Sequence, residues 1–221
     1  MSRRPDWVQL AKFIVIMSGG GAPGRTHEDV AIAALKAGCR AVQLRDKDMA
    51  DRDFAEIARR IKDACGNVGA LLFINDRVDV AAVVGCDGVH LGVYDLEVAD
   101  ARRVLGPDAI IGYSPEGIED ARRAVKESAD YLGIGPVFRT PSKEDAGEPI
   151  GPEGLASHCR EFTVPVIAVG GIDAGNAASA LAAGAVGIAV VSAVSAASDM
   201  DEAARELLKS IEDVPVEPAT E

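Results

Sequence analysis

The sequence predicts an α/β fold, and two observations favour a closed barrel over an open sheet. Short apolar segments recur eight times along the 221 residues, and stretches with helical periodicity lie between them. This alternation is typical of a parallel sheet with right-handed crossovers, and eight such units close naturally into a (β/α)8 or TIM barrel. An open doubly wound sheet is the alternative. The similarity of the eight units and the lack of a dinucleotide-binding glycine fingerprint favour the barrel.

Each predicted element has its own sequence signal. The strands are apolar segments that are too short for helices and are bounded by Gly, Asp or Pro: FIVIM at 13, AVQL at 41, LLFI at 71, GVHL at 88, AIIG at 109, YLGI at 131, PVIAV at 165 and GIAVV at 187. Several helices should begin with acidic residues and end with a basic residue or a glycine, which complements the helix dipole. They cover residues 27–38, 51–66, 97–106, 117–128 and 175–185, with at best a short helix over 77–85.

We expect one domain. Residues 1–12 form an N-terminal extension, residues 13–212 form the single-domain barrel with its parallel eight-stranded core, and residues 213–221, which are rich in Pro and Glu, form a flexible C-terminal tail.

Composition restricts the partners. The net charge of −12 argues against a nucleic-acid partner, because such a site needs clustered Lys and Arg, and a phosphorylated ligand would need local cations, backbone N–H groups or a metal. No apolar segment is long enough to span a membrane, and the first residues lack the apolar region of a signal peptide. Four cysteines without a C-x-x-C pair are typical of reduced thiols. We therefore expect a cytoplasmic protein with small-molecule partners; formation of a homo-oligomer stays open.

Polar residues lie directly after the predicted strands. In a barrel of this type the loops at the carboxyl ends of the strands build the active site. The residues after strands two to eight are, in order, Gln43, Arg45 and Lys47, then Asn75 and Asp76, Asp95, Ser114, residues 135–143, Gly170 and Gly171, and Ser192. Residues that are distant in the sequence would thus meet at one mouth.

Two of these groups suggest an anion site assisted by a metal. Gln43, Arg45 and Lys47 alternate as strand two ends, so they should point the same way and bind phosphate oxygens. A surface patch that pairs with neighbouring acids is the alternative. Asp76 and Asp95 could be helix N-caps, but as a pair beside the cations they suit Mg²⁺, which takes one or two protein carboxylates.

Further glycines and hydroxyls suggest a second anion site. The loop GPVFRTPSKEDAG at 135–147 offers Thr140, Ser142 and Lys143, and a solvent-exposed loop is the alternative. The segments AVGGI and GIAVVSAV match the phosphate cup after strands seven and eight of many barrels, where helix N-termini supply N–H groups. His90 is interpreted as a packed, hydrogen-bonded residue rather than a general base. Ser192 lacks the partners of a nucleophile.

The motifs in this order resemble those of the thiamine-phosphate synthase family from about residue 13 to 195. The motifs are VQLRDKD, FINDRVDVA, CDGVHLGVYDL, IGYS, DYLGIGPVFRTPSKEDAG, PVIAVGGI and GIAVVSA. The resemblance implies a transferase that joins 4-amino-2-methyl-5-hydroxymethylpyrimidine diphosphate to a thiazole phosphate and releases diphosphate. The chain departs from the family pattern in the MSGGG segment after strand one, at Val93 and Tyr94, at Arg139 and at Ser142.

The resemblance also implies roles for individual residues. The pyrimidine diphosphate would contact Gln43, Leu44, Arg45, Asp46, Lys47, Asn75, Ser114 and Lys143, of which Arg45, Lys47, Ser114 and Lys143 would be catalytic. The thiazole phosphate would contact Thr140, Pro141, Ser142, Gly171, Val191 and Ser192. Asp76 and Asp95 would bind Mg²⁺ as the cofactor.

Two rival functions stay open. A thiazole tautomerase with the same barrel isomerises a thiazole carboxylate phosphate and has little use for a metal or a diphosphate site. A non-catalytic protein could bind thiamine phosphate through the same mouth.

Overall fold

The computed structural model describes residues 5–18, 24–140 and 147–214. Its eight strands form a closed barrel in sequence order, and every neighbouring pair is parallel. The strands are β1 (Phe13–Ser18), β2 (Ala41–Arg45), β3 (Leu71–Asn75), β4 (Gly88–Gly92), β5 (Ile110–Ser114), β6 (Tyr131–Ile134), β7 (Val166–Val169) and β8 (Gly187–Val190). The predicted (β/α)8 barrel is therefore confirmed.

Helices cover the outside of the barrel, except the first one, whose Trp7 packs with the inward-facing residues. They are α1 (Trp7–Leu10), α2 (His27–Ala37), α3 (Asp51–Val68), α4 (Val78–Val84), α5 (Val98–Leu105), α6 (Ile118–Lys126), α7 (Gly151–Glu161), α8 (Ala177–Ala182), α9 (Ser192–Ser195) and α10 (Met200–Glu212). No described helix has the length and apolar character that a membrane span requires.

The structure corrects some predicted boundaries. The helix predicted over 51–66 ends at Gly66, but α3 continues to Val68 and its C-cap is Gly69, whose φ of 67° is left-handed. Gly66 is accommodated because a helix interior tolerates a glycine at a cost of only about 1 kcal/mol. The helices α1, α7, α9 and α10 are not among the predicted elements. Of the predicted flexible tail, residues 215–221 lie outside the described residues.

Alternation along the strands divides the core into two layers. Outward-facing residues such as Val42 and Leu44 pack under the helices. Inward-facing residues, among them Ile14 and Phe73, fill the barrel interior. Trp7 of α1 joins this inner layer, and its ring centroid lies 6.0 Å from that of Tyr131. Both layers are apolar, as expected for strands buried on two faces.

The cysteines lie in or beside this core. Cys39, Cys65, Cys86 and Cys159 are all free, and the first two are fully buried. Burial raises the pKa of the Cys39 thiol to about 11, so it stays protonated at neutral pH. These thiols therefore have the character of small buried side chains.

We predict that Gly112→Ala destabilises the barrel. A Cβ at Gly112 would lie 2.0 Å from Cζ of Tyr131, so the buried tyrosine would have to move. Such overpacking costs about 1–3 kcal/mol of unfolding free energy, measured by chemical denaturation. Gly66→Ala is the matched control, because a Cβ there meets nothing within 4 Å and alanine favours a helix. An unchanged unfolding free energy in Gly112→Ala would contradict the packing described for Tyr131.

Candidate active site

A cavity of about 860 Å³ opens at the carboxyl end of the barrel. Its floor is formed by apolar side chains of the inner layer, including Ile14, Ile16 and Ile167. Its rim and walls carry a glycine, Gly171, and polar residues that were expected from the sequence: Gln43, Arg45, Lys47, Asn75, Asp76, Asp95, Ser114, Thr140 and Ser192. The parallel strands therefore bring these residues together, as a common carboxyl end requires.

The cationic wall is built by β2 and the turn after it. Gln43 is 3% exposed, whereas Lys47 has a side chain that is 61% exposed at the rim. Arg45 Nη1 donates a hydrogen bond to Ser18 Oγ at 3.0 Å, and Lys47 Nζ lies 3.4 Å from Asp76 Oδ2. Alternation along an extended chain explains why the three side chains face the cavity together. Sequence patterns alone do not reveal Ser18, since the last residue of an apolar strand carries no motif.

Leu44 and Asp46, which alternate with Gln43, Arg45 and Lys47, have side chains that point away from the cavity. Leu44 is fully buried in the outer core. Asp46 Oδ2 lies 2.8 Å from His27 Nε2, and Asp46 Oδ1 accepts hydrogen bonds from the backbone N–H groups of Asp48 and Met49. Burial alone would raise the pKa of Asp46, but these bonds and the His27 charge lower it. Neither Leu44 nor Asp46 lines the cavity, so their side chains face away from a ligand there.

The carboxylate pair lies beside Lys47. Asp76 has a φ of 62°, and its N–H donates to the carbonyl of His90. Asp95 Oδ2 accepts a hydrogen bond of 2.7 Å from the N–H of Gly92. The alternative that these acids are N-caps is wrong, because the N-cap of α4 is Arg77 and that of α5 is Glu97. Both carboxylates are thus available to the cavity.

The charge of Asp95 affects the ionisation of Asp76. Burial, the hydrogen bond to Asp95 and the charge of Asp95 raise the pKa of Asp76 to about 6, although Lys47 opposes the shift. Two carboxylates in one partly desolvated place cannot both ionise at low cost. A divalent cation would relieve this repulsion, and Mg²⁺ needs only one or two protein carboxylates. Among the described residues no group of three or more His, Cys, Asp or Glu side chains has a metal-binding arrangement, so a site built only from protein ligands is not found there.

His90 connects the cavity to the barrel interior. Its Nε2 lies 2.7 Å from Ser114 Oγ and its Nδ1 lies 3.0 Å from the hydroxyl of Tyr131. Burial lowers the pKa of His90 to about 4, so the ring is neutral at physiological pH. Gly133 makes room for it, since a Cβ there would lie 2.8 Å from His90 Cε1. His90 is therefore packed and hydrogen-bonded at both nitrogens, in agreement with its interpretation from the sequence.

The opposite wall is formed by backbone at β7 and β8. Gly170 and Gly171 have φ values of 93° and 67°. A Cβ at Gly170 would lie 2.7 Å from Pro136 Cα, so glycine lets residues 136–139 pack directly over this turn. The short helix α9 begins at Ser192 on the rim, next to Val191. The helix α8 begins only at Ala177, so its first turn does not contain the glycines, contrary to the expected helix N-terminus there.

Part of the predicted site lies outside the described residues. These positions are Pro141, Ser142 and Lys143. Thr140, the last described residue before them, lines the cavity. The roles expected for the other three stay predictions.

A closed parallel barrel with a polar cavity at its carboxyl end has the architecture of a (β/α)8-barrel enzyme. Comparison with known proteins gives the family. A sequence profile described as thiamine monophosphate synthase matches residues 13–194. The chain therefore belongs to the thiamine monophosphate synthase family and is an enzyme of thiamine biosynthesis, a transferase.

Individual relatives agree with the profile. The chain is 44% identical over 202 residues to the thiamine-phosphate synthase of Chloroflexus aurantiacus, covering 91% of both chains. It is 51% identical over 207 residues to the thiamine biosynthesis bifunctional protein ThiM/ThiE of Symbiobacterium thermophilum; the match covers 94% of this chain and 42% of that longer protein. The solved thiamine phosphate pyrophosphorylase of Pyrococcus furiosus superposes with a TM-score of 0.85 at 39% identity, covering 94% of this chain and 98% of that one.

We predict that Asp76→Asn stabilises the metal-free protein at alkaline pH. The raised pKa means that ionised Asp76 opposes folding above about pH 6. In a chelator at about pH 8, the variant should gain roughly 2 kcal/mol of unfolding free energy, because a carboxamide carries no charge and Asn tolerates a positive φ. The gain should shrink as the pH falls from about 6 to below 4, where wild-type Asp76 becomes protonated in both states.

Urea denaturation over a pH series measures this gain. Asp79→Asn is the control, since the Asp79 side chain is 70% exposed on α4. Equal stabilities of wild type and Asp76→Asn at alkaline pH would contradict the electrostatic coupling of Asp76 and Asp95.

Proposed function

We propose that this enzyme joins 4-amino-2-methyl-5-hydroxymethylpyrimidine diphosphate to 4-methyl-5-(2-phosphoethyl)thiazole, or its carboxylate. The products are thiamine phosphate and diphosphate. One observation carries the proposal: the same cavity has cations and paired carboxylates on one wall and a glycine turn with the start of α9 on the other. The first wall suits a diphosphate with its metal, and the second suits a monophosphate bound mainly by backbone.

The donor set beside Lys47 fits Mg²⁺. Asp76 and Asp95 would hold it, and the raised pKa of Asp76 supports this because Lys47 alone does not offset burial and the charge of Asp95. The other positions of the ion would be filled by water and phosphate oxygens. When bound, Mg²⁺ supplies stabilisation of negative charge on the departing diphosphate.

The side chains of the β2 wall would bind the pyrimidine diphosphate. Arg45 and Lys47 are its cations, and the buried amides of Gln43 and Asn75 supply further hydrogen bonds. Ser114 would contribute a hydroxyl, and Lys143 a third cation. Leu44 and Asp46 would contribute only through their backbone, because their side chains do not line the cavity.

The second wall would bind the thiazole phosphate. Gly171, Val191 and Ser192 line the cavity there, and Thr140 stands beside the loop that continues to Pro141 and Ser142. Glycine allows a phosphate to approach the backbone closely. The two reactants would then meet above the apolar floor, which suits their aromatic rings.

The chemistry is consistent with this arrangement. Breaking the bond between the pyrimidine methylene carbon and the diphosphate oxygen leaves the bonding pair on diphosphate, where Arg45, Lys47 and Lys143 stabilise the charge. The aminopyrimidine ring spreads the positive charge that remains, which favours a dissociative path. The thiazole nitrogen then attacks the methylene carbon. No strong general base is required, which agrees with a neutral His90 bonded at both nitrogens; positioning supplies much of the rate.

The same features favour a synthase over the rival functions. A tautomerase would have little use for the cations of β2 or for paired carboxylates. Purified protein, both substrates and Mg²⁺ test the proposal, with diphosphate release and thiamine phosphate formation as readouts. Binding of thiamine phosphate without any diphosphate release would indicate a binding protein, and isomerisation of a thiazole carboxylate phosphate alone would indicate a tautomerase.

We predict that Asp76→Ala or Lys143→Ala lowers kcat by about 10²–10³-fold, because each removes stabilisation of charge that develops on diphosphate. Asp76→Gly should have the same effect, and it avoids the strain of alanine at a φ of 62°. Thermal unfolding should show an intact fold in all three variants. Asp79→Ala, an acidic residue on the outer helix α4, is the control and should retain wild-type turnover. Wild-type rates in the first three variants would remove these residues from the mechanism.

A further inference from the structure

Residues at the start of α2 contact the elements that follow β2 and β8. In the barrel, β1 pairs with β2 on one side and with β8 on the other. The start of α2 contacts the turn after β2, which carries Lys47, and the end of α9, which follows β8. Residues 25–27 make these contacts, and we call these three residues the brace.

One arm of the brace is Arg25. Its Nη1 donates to the carbonyl oxygens of Ser195, at 2.9 Å, and Ala197, and its Nη2 donates to the carbonyl oxygen of Ser198 at 3.0 Å. These carbonyls lie at the end of α9, whose first residue, Ser192, is on the cavity rim. A guanidinium that binds several carbonyls fixes the end of a helix in place. Arg25 therefore holds α9 against the start of α2.

The other arm is His27. Its Nε2 lies 2.8 Å from Asp46 Oδ2, and the two side chains are only 12% and 15% exposed. The other oxygen of Asp46 accepts hydrogen bonds of 3.1 and 3.0 Å from the N–H groups of Asp48 and Met49. Asp46 therefore fixes the conformation of the turn that contains Lys47, whose side chain lies at the rim. The bond to His27 ties that turn to α2.

Thr26 fixes the spacing between the arms. Asp29 N donates to Thr26 Oγ1 at 3.1 Å, and Thr26 N donates to Asp29 Oδ2 at 2.9 Å. This reciprocal capping box defines where α2 begins. The backbone at the start of α2 is therefore fixed, and the side chains of Arg25 and His27 extend from it to two different partners.

We propose that Arg25 and His27 are positioning residues that hold the two substrate-binding turns at a fixed separation. The inference rests on the proposed function: Arg25 acts on the thiazole phosphate through α9, and His27 acts on the pyrimidine diphosphate through Asp46. Neither residue lines the cavity, so each acts through another group. The joining of two bound molecules is sensitive to their separation, since a displacement of about 1 Å can cost about 10²-fold in rate.

Steady-state kinetics of the full-length protein test the two arms separately. Arg25→Ala should raise KM for the thiazole phosphate about tenfold and leave KM for the pyrimidine diphosphate within about twofold, because a hydrogen bond to a charged group is worth about a tenfold change. His27→Ala should raise KM for the pyrimidine diphosphate about tenfold and leave KM for the thiazole phosphate within about twofold. Both should lower kcat, because the reactants lose their relative position.

A conservative variant and a double variant separate positioning from general packing. His27→Gln keeps a donor for Asp46 and should restore KM for the pyrimidine diphosphate to near the wild-type value. Asp46→Asn should reproduce the His27→Ala effect, and the double variant should be no worse than either single variant, because both break the same contact. Additive effects would overturn the assignment of His27.

Matched controls come from the outer surface. Arg103→Ala removes an exposed arginine of α5 that pairs with Asp100 on the same helix, and His158→Ala removes a histidine of α7; both should have wild-type kinetics. Equal rises of both KM values in the Arg25 and His27 variants, or no rise in either, would overturn the proposal.

A direct measurement of diphosphate binding tests the positioning role independently of the proposed reaction. With Mg²⁺ present, His27→Ala should weaken binding of inorganic diphosphate about tenfold by calorimetry, and Arg25→Ala should leave it unchanged. A wild-type protein that binds diphosphate but never releases it from the two substrates would refute the proposed reaction. Unchanged diphosphate affinity in His27→Ala would refute the positioning role, whatever the reaction is.

Discussion

The parallel direction of all eight strands is the constraint on which the candidate site depends. Each strand delivers its last residues to the same rim, so groups as distant in sequence as Arg45 and Ser192 share one cavity. In an antiparallel sheet the same motifs would be divided between two ends. The barrel also buries both faces of every strand, which explains why a chain so poor in aromatic residues forms an extensive core from Val, Ile, Leu and Ala.

The charge at that rim is mixed, because the cavity is lined by cations as well as carboxylates. The protein as a whole is strongly acidic, yet Arg45 and Lys47 face the cavity, and the acids beside them are arranged as a pair that a divalent cation would neutralise. On the proposed function, an anionic reactant would be repelled by the surface in general and would bind here with the help of these cations and a divalent ion.

The strands, their order and the residues that meet at the mouth could be predicted from the sequence, because each depends on local periodicity and on the rule of common carboxyl ends. Individual side-chain contacts between neighbouring elements could not. The pairs of Ser18 with Arg45 and of His27 with Asp46 are separated by 27 and 19 positions, and neither Ser18 nor His27 belongs to a motif. The end of α3 was misplaced because Gly66 and Gly69 are equally plausible caps until the backbone angle is known.

The inner layer also gives the molecule a natural optical reporter. Trp7 is the single tryptophan of the chain, and its indole packs against Tyr131, whose hydroxyl lies within hydrogen-bond distance of an imidazole on the cavity wall. Fluorescence from this indole therefore originates from one place, under the floor of the cavity. Binding of a molecule above that floor can be followed by the fluorescence emission of Trp7, without any attached dye.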